Sequence, residues 1–212
     1  MPRLMDLGLE QLTNMILDMS NLAEKAVLTS LEAYRKKPGA SSEAVLHISE
    51  QLRILQEETS GIAVEILARY QPLARDLRFV KACIDIAYDL SRFGRYAYDI
   101  ALTPDWLGDI FPCDFAIPME TAQKALAMIE KSILAFKNKD ATLAKTLPKD
   151  DDVIDQLYKN TVISALKDES IERRCALATT LLMRHIERIA DHACYIADSV
   201  VYIAEGVKLG LH

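Results

Sequence analysis

Between residues 175 and 203 apolar side chains return every three or four positions: Cys175, Ala178, Leu182, Ile186, Ile189, Ala193, Ile196, Val200 and Ile203. That period follows the 3.6-residue turn of an α-helix and lays one buried stripe along the segment. It predicts a helix over about 170–205, entered from the turn Asp168-Glu169-Ser170. A second stripe, built from Val45, Leu46, Ile48, Leu52, Leu55, Ile62, Ile66 and Leu67, predicts a helix over about 42–70. Ser42 is its expected N-cap, following the turn Pro38-Gly39-Ala40-Ser41. Prolines at 2, 38, 72, 104, 112, 118 and 148 punctuate the chain, because proline has no amide donor and crowds the preceding turn. Further helices are expected over about 4–36, 73–102, 117–139 and 150–167, and TPDWLGDIFPCDF, residues 103–115, is the strongest break.

Three helices fall on each side of that break. Three antiparallel helices with short connections close on a common core, so the expected fold is all-α, two tandem antiparallel three-helix bundles. The first would span residues 1–103, a linker 104–116, and the second 117–212. Setting DLSRFGRYAYDIA (89–101) against HIERIADHACYIA (185–197), an offset of 96, pairs Arg92 with Arg188, Ala97 with Ala193, Ile100 with Ile196 and Ala101 with Ala197. Both segments are the third helix of their half, which points to an internal duplication.

Composition narrows the class. Seven glycines in 212 residues, with 50% apolar and 26% charged residues, describe a soluble helical protein. The net charge is −6, and no run of four basic residues appears, which excludes a nucleic-acid partner on charge. The uncharged stretch CALATTLLM is too short to span a bilayer, so direct membrane insertion is not expected and the protein is placed in the cytoplasm, at the membrane only through a partner. Cys83, Cys113, Cys175 and Cys194 form no close pair in sequence and are expected to be reduced and mostly buried.

Three stretches carry a family resemblance. RHIERIADHACYIAD (184–198) is similar to the terminal-helix signature of the PhoU family, helical regulators of phosphate uptake; Ala190 stands where the family pattern has glycine. QPLARDLRFVKACIDIAYDL (71–90) resembles the opening of the family's third helix, and DDVIDQLYKN (151–160) its Asp-x-x-Ile-Asp-x-Leu element. The resemblance implies paired three-helix bundles that hold metal on acid-x-x-x-Asp motifs, and regulation through contact with phosphate transporter components or a sensor kinase. A homodimer is a further expectation.

The spacing has its own logic. Residues four apart stack on one helix face, so Asp151 with Asp155, and Glu187 with Asp191, each offer two carboxylates to one place. Antiparallel packing of their helices would collect four, a hard oxygen set suited to iron, manganese, magnesium or zinc. His192 is a candidate additional ligand or supporting contact. At the matching positions the first half has Ser49, Arg53, Ser91 and Arg95, and a guanidinium cannot ligate a cation; one site in the second half is expected and none in the first.

Other features read as structural. Asp85 and Asp89 are expected to pair with Arg92 and Arg95, Tyr96 and Tyr98 to pack, and His185 to border the core. Trp106 and Phe111 are candidate partner contacts, packing across the bundle junction being the commoner use. No Glu-x-x-His, His-Glu-x-x-His, phosphate loop or Gly-x-Ser-x-Gly elbow occurs, so no enzyme activity is expected. The alternatives are a metal-free helical scaffold and an accessory module of another ion transporter.

Overall fold

The computed structural model describes residues 4–35 and 42–210, and the expected turn at 38–41 lies outside them. Among the described residues seven helices follow in order: α1 Leu4–Tyr34, α2 Ser42–Tyr70, α3 Ala74–Leu107, α4 Ala116–Asn138, α5 Ala141–Ala144, α6 Leu147–Lys167 and α7 Arg173–Glu205. Helices α1, α2 and α3 pack together, α4, α6 and α7 pack together, and α3 lies against α7 across the join. No helix among the described residues is long and apolar enough to cross a membrane.

Two helix ends shift from the sequence expectation at a proline. α3 passes Pro104 and stops at Gly108, whose φ of 76° is open to glycine and whose N–H donates to the Pro104 carbonyl at 2.9 Å. A proline in the final turn costs one intrahelical bond and does not end the helix. α6 starts at Leu147, three residues early, because Pro148 falls in its first turn, where the missing amide hydrogen would have no partner in any case. The additional one-turn α5 is capped by Asp140, whose side chain accepts from the Leu143 N–H at 2.9 Å.

The core follows from spacing. On α1, Leu12, Ile16, Met19, Ala23, Ala26, Ser30 and Ala33 are buried at alternating intervals of four and three, a heptad-like seam facing α2 and α3. The Ser30 hydroxyl is satisfied internally, donating to the Val27 carbonyl at 2.7 Å. α7 is buried on more than one side because it touches α3, α4 and α6, which explains its run of alanines at 190, 193 and 197. Gly94 has the same explanation in α3: a Cβ there would meet Leu52 Cδ1 at 2.6 Å and Ser49 Cα at 3.2 Å.

The α3–α7 seam obeys the 96-residue offset. Tyr96 and His192 are equivalent positions in the two repeats, and their rings face each other with centroids 5.6 Å apart. The Tyr96–His185 contact, at 6.3 Å, has as its counterpart the contact of His192 with Asp89. Arg92 and Arg188, also equivalent, both lie over the Tyr96 ring, at 4.9 and 5.9 Å. Equivalent residues meeting each other place a local two-fold axis in this seam.

Candidate metal centre

α6 and α7 are packed face to face, and the four-residue spacing turns the expected acids toward their interface. Asp155, Glu187 and Asp191 each offer a carboxylate oxygen within 4.8 Å of the others, the one group of three or more metal-capable side chains found among the described residues. Asp151 lies outside that group, one turn from Asp155 and nearly buried at 9% exposure. Its Oδ1 is buried with no hydrogen-bond partner. Burial, then the charges of Asp191, Asp155 and Glu187, raise its pKa from 3.8 to about 7. Glu187 and Asp191 are shifted upward as well, burial being the main cause for both.

Basic side chains offset part of this repulsion. Arg184 Nη1 donates to both oxygens of Glu187 at 2.7 Å, Arg188 Nη1 lies 3.3 Å from Asp191 Oδ2, and Lys159 lies 3.4 Å from Asp155. These pairs sit on the outer side of the acids, and the Asp151 oxygen is left without a counterpart. The donor set is all oxygen and dense in charge, and one buried acceptor is unsatisfied; a hard divalent cation fits it. Asp155, Glu187 and Asp191 would hold the ion, with Asp151 beside them. An ion there would supply positive charge that ties α6 to α7.

His192, the fifth expected member, points elsewhere. It is buried in the seam with Nδ1 2.8 Å from Asp89 Oδ1 and Nε2 3.3 Å from the Tyr96 hydroxyl, so both ring nitrogens are occupied. Burial raises the pKa of Asp89, and the bond to His192 opposes that rise. The first half has arginine at two of the matching positions: Arg53 pairs with Glu57 at 2.6 Å and Arg95 with Asp99 at 3.3 Å, while Ser91 donates to the Tyr88 carbonyl.

Three expectations are corrected. Asp85 and Asp89 are paired, but not with Arg92 and Arg95: Asp85 takes Lys81, one turn earlier on α3, and Lys208 of the C-terminal tail, while Asp89 reaches across to His192 on α7. Cys113 and Cys175 are joined in a disulfide, since the linker folds back on the start of α7; Cys83 and Cys194 remain free and buried. Trp106 and Phe111 are 65% and 50% exposed and do not fill the bundle junction. His185 is half-buried, its pKa lowered mainly by burial.

The family model described as PhoU domain matches the chain twice, over residues 16–103 and 119–200. A relative from Clostridium acetobutylicum, named phosphate-specific transport system accessory protein PhoU homolog, is 25% identical over 99% of this chain and 98% of its own. A like-named protein of Archaeoglobus fulgidus is 29% identical over 92% and 91%. Among solved structures, PhoU from Pseudomonas aeruginosa superposes with TM-score 0.85 at 26% identity, covering 95% of this chain and 99% of that one. The phosphate transport system regulatory protein PhoU from Streptococcus pneumoniae shares the fold, with TM-score 0.88 at 22% identity over 97% and 99%.

Proposed function

The chain belongs to the PhoU domain family, and on that premise we propose that it regulates phosphate transport by protein contact, with a divalent metal ion on its second bundle. The observation that carries the metal is the meeting of Asp155, Glu187 and Asp191 within 4.8 Å, beside the partnerless Asp151 oxygen. The ion is iron, manganese, magnesium or zinc, hard or borderline cations suited to carboxylates. The protein works in the cytoplasm as a homodimer, without turnover, on components of a phosphate transporter or its sensor kinase. Relatives of near-equal length are named accessory proteins of phosphate-specific transport, which supports this reading. Helices α1–α3 and α4–α7 act as the two bundles, and because α3 runs on to Leu107 and α4 begins at Ala116 their link is residues 108–115 rather than the expected 104–116.

Metal would act here by structure. Clustered carboxylates repel, and a cation among them fixes the spacing of α6 and α7 and sets the charge of the face shown to a partner. The competing reading, a metal-free scaffold, is favoured by the Arg184–Glu187 and Arg188–Asp191 pairs, which already neutralise two acids. Elemental analysis of protein purified without added metal, beside the double variant Glu187→Ala, Asp191→Ala, separates them. Bound metal in the wild type and its loss in the variant are expected; equal content in both refutes the site. An accessory role toward another ion transporter is separated by which transporter copurifies.

A further inference from the structure

The Cys113–Cys175 bond stands where the two halves are joined. Cys113 belongs to the linker between α3 and α4, Cys175 to the first turn of α7, and 62 residues separate them. Besides the bond, the linker is held by Ile110, which is buried in the core, by Arg174, which donates to the Asp109 carbonyl at 3.2 Å, and by Phe115, which meets the Tyr34 ring edge-on at 5.0 Å. Tyr34 in turn donates to the Ala178 carbonyl at 2.7 Å, so α1, the linker and α7 converge on this one spot.

Both cysteines are only partly buried and line open space. Cys113 lines a cavity of about 440 Å³ with Tyr34, Phe111, Phe115 and Met119. Cys175 lines a second, about 410 Å³, with Ile117, Pro118, Leu157 and Ile171. Cys83 and Cys194 are fully buried, and burial raises both thiols far above their usual range, which removes them from exchange chemistry. Chemical access therefore singles out the bonded pair. Cys175 is the better leaving group by position: it lies in the first turn of a 33-residue helix, whose positive end faces charge developing on that sulfur, whereas Cys113 is followed by Asp114.

From this we propose that Cys113–Cys175 is a reversible thiol–disulfide latch, opened by a dithiol reductant, that clamps the inter-bundle linker to α7. The reductant's thiolate attacks Cys113 Sγ; the disulfide breaks, its electron pair leaving with Cys175 as thiolate, which takes up a proton. The reductant's second thiol then resolves the mixed disulfide and frees Cys113 as a thiol. Two electrons and two protons pass to the cysteines, and the reductant ends as its own disulfide. Opening leaves residues 108–115 held by Ile110, Arg174 and Phe115, and loosens the boundary at Asp114 that the two apolar-lined cavities share. A disulfide in a reducing compartment commonly has such a redox role rather than a static one. The inference does not depend on whether the carboxylates hold metal.

The test uses the full chain purified in air. It is treated natively with a thioredoxin-class dithiol protein and its recycling system, then alkylated with iodoacetamide before unfolding and mapped by mass spectrometry. Alkylation at Cys113 and Cys175 only after reduction is expected, with Cys83 and Cys194 labelled only after denaturation. Hydrogen exchange over 108–115 and the first turn of α7 should rise about tenfold or more and fall again on reoxidation, with 186–197 unchanged. Cys113→Ser should show the fast exchange without any reductant. Reduction only after unfolding, free thiols at Cys113 and Cys175 in the air-purified protein, or exchange that ignores the state of the bond would each overturn the latch.

Discussion

Asp151→Asn, in protein stripped of metal, should raise stability at alkaline pH and leave it unchanged in acid. The Asp151 carboxyl is moved from 3.8 to about 7 by burial and by three neighbouring acids, so between roughly pH 4 and 7 the folded chain keeps a proton that the unfolded chain has lost. Stability is full below that window and declines as pH climbs through it. One pKa unit corresponds to about 1.4 kcal/mol, which sets an upper bound of about 4 kcal/mol for this shift. Neighbouring carboxyls take up protons with it and solvent screens the rim of the site, so about half of that, roughly 2 kcal/mol, is the expected effect. Asparagine holds the neutral shape at every pH and so escapes the penalty. Urea unfolding followed by circular dichroism, with a chelator present, should show the variant ahead of the wild type by this margin near pH 8 and level with it only below about pH 4. Added divalent metal should reverse the order at pH 8. Equal stability at pH 8 in chelator, or a gap that does not vary with pH, would refute the electrostatic account of the cluster.

Gly94→Ala should cost about 1–3 kcal/mol, since its Cβ would press on Leu52 and on the backbone at Ser49; thermal unfolding that leaves the midpoint unmoved would count against the close packing of α2 on α3. His192→Phe keeps a ring in the seam and strands Asp89, for a loss of about 3–5 kcal/mol, much of it recovered in the double variant with Asp89→Asn. A denaturation series in which the double variant is no better than the single would show that the pair is not what suffers.

The helices were largely legible because their apolar stripes persist over about six or seven turns, as along α1 and α7. Their ends were less so, since Pro148 and Pro104 read alike in sequence but differ by where the helix frame puts them, one in a first turn and one in a last. Local spacing found the acids that meet. It could not rank Asp151 below Asp155, a distinction that depends on the depth at which α6 lies on α7. The disulfide carried no sequence signal, because folding of the linker alone brings Cys113 and Cys175 together. The seam did carry one: the 96-residue offset that aligns the halves also aligns Tyr96 with His192, and positions on a symmetry axis must touch their own copies.

Asp191 and His192 are consecutive on α7, and successive residues project about 100° apart around a helix. One side chain therefore faces α6 within the acid cluster, while the next reaches across to Asp89 on α3. α7 is in effect a shared axle: it cannot roll to rearrange the carboxylates without unseating the imidazole from the other half. An event on one flank of the molecule is thereby geared to the docking of the first bundle on the second.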